Sequence, residues 1–484
     1  MREKLLSMKQ IFYSFLLICL CFTFVSSGYL SWFYHLIEIL PNPQSADQAS
    51  EVFGYLFQAA GIAVFSALAG RFRTIRDSAS FLCIILLYMI CLIPSVLSQS
   101  VTVSLVCGFA MNLFCGIISA CYIYTLTIMT DSAMTAQVFG SAYGLSTIIT
   151  WLASEKHNML QEDYVLIIYA LMAALGVMVY DKCVKRGEET DGLSQLTVHL
   201  FKGQSPDNQR AKDIQREEGL SEGHGSLILT AAFTVIMLSF VKSLGFIFPA
   251  SDISSGISLE LSRIFYGVSL IIAGYISDKN RQIGAIFCIS SLVLPFIMLV
   301  LGRENMPQII LWSMNYFFFG FFTIFRVILF CDLANKTNLY YLAAGGLLTG
   351  RIGDAVGTYT YIYLKDNVPI LIIVAGTLFV LTMFVFFRLY NMLYLAEPET
   401  VILPPQISEE ERFELFCKKY DCTLREREIL RLITKERTNS EIAKDLFISE
   451  STVKFHVRNL LRKTNCGNRV DLIRLFQLSE FEDE

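Results

Sequence analysis

The sequence is short of charge. Only 82 of its 484 residues are ionised at neutral pH, 39 basic and 43 acidic, and 16 of these fall between Asp181 and Gly225 and another 31 between Glu409 and Glu484. The other 363 residues share the remaining 35, far below the roughly 25% charged content of a soluble domain. Glycine (29) and proline (11) are too few for a collagen-like or low-complexity chain. The 13 cysteines are scattered, with no CxxC pair and no histidine nearby at metal-ligand spacing. A disulfide scaffold and a zinc module are therefore excluded, and no metal or cofactor is expected. G-x-S-x-G, Walker and HExxH motifs are also missing, so no enzyme is expected. A kinase or phosphoreceiver module needs a soluble domain of about 100 residues or more, and none is left unassigned. Any input signal must enter through the charge-poor part.

What fills that part is apolar sequence. Runs long enough to span a bilayer cover Ile11 to Trp32, Val52 to Ala69, Ser80 to Leu97, Val101 to Thr125, Ala133 to Ala153 and Tyr164 to Tyr180. A second set covers Leu227 to Phe248, Ile257 to Ile276, Ile283 to Leu301, Ile309 to Phe330, Leu339 to Tyr363 and Pro369 to Leu395. The first run is longer than the 7 to 15 residues of a signal peptide and is read as a retained span. The fifth is diluted by Gln137, Ser141 and Ser146, but its Gly140 and Gly144 suit close helix packing in lipid. The predicted class is all-α: a polytopic bundle of 12 spans in a 6+6 arrangement, then a small cytoplasmic helix-turn-helix domain. Its divisions are a membrane domain at 1–395 (halves 1–180 and 226–395), a linker at 396–408 and a tail at 409–484. The 181–225 segment, with seven basic and nine acidic residues, reads as a solvated cytoplasmic loop.

Lysine and arginine in the short connections set the orientation. With the N-terminus inside, Arg2, Lys4, Lys9, Arg71, Arg73, Arg76, Lys279, Arg281 and Lys336 are inner, against Lys156, Arg303 and Lys365 outside. Both termini are thus expected in the cytoplasm, with the protein in the inner membrane of a bacterial cell and lipid as a partner. The segment Gly274-Tyr275-Ile276-Ser277-Asp278-Lys279-Asn280-Arg281 resembles the cytoplasmic turn of the major facilitator superfamily, and the 6+6 layout agrees. Its carboxylate sits at a helix boundary among basic residues, where it can tie neighbouring helix ends together. The matching place in the first half has Gly70 where the family has aspartate.

In the tail, Pro398, Pro404 and Pro405 stiffen the linker, and Ser408 caps a helix with acidic residues first and Lys418 and Lys419 last. Thr423 and Glu426 form a capping box before an apolar face of Ile429, Leu430 and Ile433. Thr438 to Leu446 is a second helix, and Ser449 starts a third, with Val453, Val457, Leu460 and Leu461 at helical spacing. Two helices joined so tightly have the shape of a helix-turn-helix. From Ser451 to Arg474 six basic residues face one acidic, which suits a polyphosphate.

Residues 423–430, 439–443, 448–454, His456-Val457 and Asn468-Arg469 together resemble the LuxR/NarL-type DNA-binding domain of bacterial transcription regulators. The likeness covers Cys422 to Phe476, with Leu424 in place of a usual proline. It implies double-stranded DNA as partner, with the helix from Glu450 in the major groove. Lys454, Phe455 and Arg458 would then read base edges, while Thr452, Arg462 and Lys463 would meet phosphates. It also implies homodimeric tails, with Val470, Ile473 and Phe476 as an apolar seam. His456 reads as a packing residue.

Ionisable groups inside spans are costly and default to function. They concentrate in the second half: Lys242, Glu260, Arg263, Arg326, Arg351 and Asp354. Glu260 with Arg263, and Arg351 with Asp354, are i,i+3 pairs that neutralise each other in one reading. In the other, Arg351 with Lys242 or Arg263 lines a central cavity and meets an anionic group of a small ligand. The leading functional expectation is a membrane-bound one-component transcription regulator that senses a small ligand. The alternatives are a major-facilitator-type transporter with a regulatory DNA-binding tail, and a tail that binds protein.

Overall fold

Helices account for nearly all of what the computed structural model describes, namely residues 2–72, 76–153, 163–201, 207–244, 260–301, 308–395, 409–435, 437–464 and 466–478. The chain divides into two units, Met1–Leu395 and Ala396–Glu484. Among the described residues, unit 1 has twelve long helices. They are α1 (Arg2–Ile39), α2 (Pro43–Asp47, a π-helical stretch Gln48–Gly54, then Tyr55–Ala69), α3 (Ser78–Leu97), α4 (Val101–Met129), α5 (Thr135–Ala153) and α6 (Asp163–Phe201). The second half follows with α7 (Asp207–Lys242), α8 (Glu260–Lys279), α9 (Arg281–Leu301), α10 (Gln308–Thr337), α11 (Gly345–Leu364) and α12 (Val368–Tyr390), the last continued by a π turn Asn391–Leu395.

Eight of these helices are long and apolar enough to cross a membrane: α1 to α4, α6, α7, α10 and α12. The other four are α5, α8, α9 and α11, and α5 and α11 carry the glycines, hydroxyls and charges that dilute hydropathy. A lipid-facing surface is plain on α3, where Leu82, Leu86, Ile90, Ile93 and Leu97 are exposed along one stripe while Phe81, Ile85, Tyr88, Leu92 and Val96 are buried on the other. Such a stripe is stable only against an apolar solvent.

Within the solvated 181–225 connector the structure adds helix: α6 runs on to Phe201 and α7 begins at Asp207, each continuing a helix already nucleated by its apolar part. Ser408, the linker and the 245–259 ends of two expected spans lie outside the described residues.

The halves touch through backbone. A Cβ on Gly144 of α5 would sit 2.5 Å from the Gly267 carbonyl of α8, and one on Gly140 would sit 2.3 Å from that of Leu270. No side chain fits there. Gly144→Leu should therefore cut accumulated protein several-fold, measured by immunoblot of membranes, while Leu145→Ala, at a position 40% exposed, leaves it unchanged.

Where α8 ends, Asp278 accepts hydrogen bonds from the backbone N–H groups of Ala136 (3.0 Å) and Gln137 (2.6 Å) in the first turn of α5. Arg281 donates to Asp278 (2.7 Å), to Asp332 of α10 (2.9 Å) and to the Ser132 carbonyl (2.6 Å). The turn ties α5 of the first half to the ends of α8, α9 and α10 in the second. At the corresponding place in the first half, Gly70 packs beneath the ring of Tyr341, which a Cβ there would meet at a tight 3.2 Å.

Unit 2 is built of α13 (Glu409–Lys419), α14 (Leu424–Thr434), α15 (Asn439–Asp445), α16 (Glu450–Thr464) and α17 (Arg469–Leu478). Phe413, Phe416, Ile429, Leu430, Ile433, Ile442, Val453, Leu460, Leu472 and Phe476 form its core. Phe476 stacks edge-on against Phe416 at 5.3 Å, so it is core and unavailable to a dimer seam. Val470 is 71% exposed and Ile473 is half-buried.

Candidate functional sites

The local chemistry of unit 2 presents one helix. The Thr423 hydroxyl accepts from the Glu426 backbone N–H, and Glu426 Oε2 accepts from that of Thr423 at 2.9 Å, closing the expected capping box. A second box joins Thr438 and Glu441. The turn to α16 passes through Phe447 in the left-handed region at φ 52°, and the Ser449 hydroxyl accepts from the Thr452 backbone N–H at 3.2 Å. Phe447 is 95% exposed, so its ring gains no packing in exchange for an unfavourable backbone. Phe447→Gly is expected to stabilise the tail by about 0.5–1 kcal/mol in urea unfolding.

On α16 the exposed face holds Lys454, Phe455 (61% exposed), Arg458 and Arg462. Val453, Val457 and Leu460 turn inward. Lys454 pairs with Glu450 at 2.9 Å on the surface, a contact worth little and easily exchanged for another partner. Arg458 and Arg462 engage no carboxylate among the described residues. The Thr452 hydroxyl shares a hydrogen bond with Ser449 at 2.7 Å within the cap. Half-buried His456 packs beside Phe455.

Lys463 departs from expectation. Its amine donates to Glu426 Oε2 and to the Asp421 carbonyl, each at 2.7 Å, binding α16 to the start of α14. Glu426 is 3% exposed, and a buried carboxylate there needs a cation. Lys463 is therefore an internal staple and not a free phosphate contact. Burial pushes the Glu426 carboxyl up, but the Lys463 amine and the Thr423 N–H and hydroxyl outweigh it and hold it below the usual carboxylate range. The contribution to stability is thus present at neutral pH and lost as pH falls through the lowered value of the folded state. Urea midpoints of the tail should drop between pH 6 and pH 3, less steeply in Glu426→Gln, which should itself cost about 2 kcal/mol at pH 7.

Between the halves of unit 1 lies a partly open cavity of about 280 Å³. Of the five residues expected at a ligand site, Lys242, Arg326, Arg351 and Asp354 line it, and the side chain of Arg263 lies outside the described residues, as does that of Glu260. The expected Arg351–Asp354 pair is not made. Asp354, 2% exposed, instead accepts from Lys242 at 2.8 Å, Arg326 at 3.2 Å and Ser243 at 3.1 Å. The reason is geometric: α7 and α10 bring two cations to the inner side of α11, where they outcompete a neighbour one turn away on the same helix. Arg351 lies over the ring of Tyr55, 4.3 Å from its centroid, and makes no hydrogen bond or close ion pair with the described residues, though Asp354 lies within its electrostatic reach.

The sequence reading missed the aromatic walls. Tyr29, Tyr55, Tyr122, Tyr143, Tyr266 and Phe319 line the cavity, and within apolar runs such residues look like ordinary core. One signal was present: Glu51 and Gln58 are polar within or beside the second run, and the π-helical stretch there is a deformation that recurs at functional sites.

Comparison with known proteins agrees with both units. The model of "Bacterial regulatory proteins, luxR family" matches residues 422–476. Spore germination protein GerE of Bacillus subtilis is 42% identical over 60 residues, which are 12% of this chain and 81% of that protein. A nitrate/nitrite response regulator protein homolog of Haemophilus influenzae is 54% identical over 54 residues, 11% of this chain and 26% of that one. NarL of Escherichia coli (strain K12), a nitrate/nitrite response regulator, is 49% identical over 49 residues, 10% and 23%. The chain thus spans about a quarter of the length of the nitrate/nitrite regulators it matches. Among solved structures, a peptide transporter POT in complex with sulfate has TM-score 0.52 at 11% identity, over 79% of this chain and 94% of that one. The proton:xylose symporter XylE has TM-score 0.50 at 12% identity, over 79% and 94%. At such identity the likeness is one of fold: unit 1 is a multi-pass membrane domain whose helices are arranged like those of these transporters.

Proposed function

Through residues 422–476 the chain belongs to the luxR family of bacterial regulatory proteins, and on that premise we propose that it is a membrane-bound, one-component transcription regulator. Its twelve long helices cross the inner membrane with both termini in the cytoplasm. A small ligand in the cavity of unit 1 shifts the balance between two arrangements of the halves, and the tail carries the change to DNA, as a dimer on paired half-sites. The observation that supports this most is that α16, within the matched residues 422–476, exposes Lys454, Phe455 and Arg458, in the same chain as a membrane domain with a charged internal cavity. Catalysis has no part in it.

Genome-wide DNA occupancy of the intact protein, with and without candidate metabolites, is the test. Occupancy at a limited set of sites that changes with one metabolite is the expected result. Sequence-independent occupancy, or none, would overturn it. Concentrative flux of the effector in vesicles, at turnover well above its binding stoichiometry, would favour a transporter with a regulatory tail.

A further inference from the structure

Charge in the cavity does not balance. Lys242 and Arg326 share the one carboxylate of Asp354, and Arg351 meets only the face of Tyr55. Glu51 is within electrostatic reach of Lys242 and Arg351, so among the described residues three cations face two carboxylates. A guanidinium offers five donors in a planar fork, and a ring face satisfies none of them as hydrogen bonds. Arg351, half-buried at the cavity wall, therefore holds an unfilled preference for a planar anion.

Size and lining narrow the class. A cavity of about 280 Å³ lies at the small end of ligand pockets, roughly 300–1,000 Å³, and suits a small molecule. Tyrosines from both halves supply ring faces and hydroxyls together. We propose that the cavity binds a small organic acid with a single carboxylate, held by Arg351, while the Lys242–Asp354–Arg326 cluster stays closed on itself. The assignment rests on the ligand-sensing reading above and gives it a physical input. Tyr55 belongs to α2 in the first half and Arg351 to α11 in the second. A carboxylate at the guanidinium replaces a contact between the halves with one to the ligand, so the two arrangements bind it unequally, as any effector requires.

The experiment uses the purified full-length chain in detergent, with binding followed by thermal unfolding against two matched pairs of probes, benzoate with benzyl alcohol and gluconate with glucose. At least one acid should bind ten-fold or more tighter than its neutral partner, and the pair that does so tells whether the body of the ligand is flat or polyhydroxylated. Arg351→Gln should erase that preference. Arg351→Lys should keep it with several-fold weaker binding, and carries the test if the glutamine variant fails to accumulate. Neutral partners binding as tightly as the acids, no binding by either acid, inorganic phosphate binding equally well, or a preference surviving in Arg351→Gln would each overturn the assignment. If an acid binds as expected but DNA occupancy in cells ignores it, the ligand class stands and the sensor reading falls.

Discussion

Asp354→Ala is expected to be the most damaging single change in the membrane unit. Its carboxylate is 2% exposed and neutralises Lys242 and Arg326, whose side chains are 13% and 5% exposed. Removing it strands two buried cations, and stranding one typically costs about 3–5 kcal/mol. Protein should largely vanish from membranes, and what remains should melt well below the parent. A double-mutant cycle separates this arrangement from a pair on one helix. Lys242→Met with Asp354→Ala should show a coupling of about 1–3 kcal/mol, whereas Arg351→Met with Asp354→Ala should couple distinctly less, Arg351 acting only at longer range. Strong coupling to Arg351 alone would restore the i,i+3 pair.

For DNA, the largest loss is expected at Arg458. It projects from the exposed face of α16 with no carboxylate partner among the described residues, so nothing must be broken before it meets a base edge. Arg458→Ala should weaken binding to the specific site by about 1–3 kcal/mol and relax preference at one position. Lys454→Ala should do the same less strongly, since Lys454 first leaves Glu450. Lys463→Ala should act differently, lowering the melting temperature of the tail through Glu426 and reducing DNA affinity only in step with the folded fraction. Competition titrations with specific and random duplexes distinguish these outcomes: equal losses on both duplexes for Arg458→Ala would remove it from base reading.

The exposed basic face of α16 was legible because it follows from local rules. Helical spacing separates Val453, Val457 and Leu460 from Lys454, Phe455 and Arg458, and no distant residue intervenes. The capping box at Thr423 was legible for the same reason. Where a residue's fate depends on another segment, the sequence was silent. Asp354 stands three residues from Arg351 yet binds Lys242, 112 positions away in the chain. Lys463 looks like one more member of a basic run until Glu426 is found beneath it. Phe476 lies on the apolar side of a short helix that suits a dimer seam or a core equally well, and only its stacking on Phe416 decides between them. The cavity was half legible: buried charge marks itself against an apolar background, but tyrosines do not.

The tie at Asp278 also bears on how the two halves move. One carboxylate there occupies the otherwise unmet N–H groups of Ala136 and Gln137 and grips Arg281, which in turn holds Asp332 and the Ser132 carbonyl. These bonds share two side chains, so they form or fail as a set, and a slight parting of α5 from α8 uncovers backbone donors and a carboxylate at the same instant. Gly70, in the other half, has no side chain with which to make a matching grip. Losing that one carboxylate would therefore unfasten both halves at this end together, as a single rivet does, with nothing at Gly70 to take up the load.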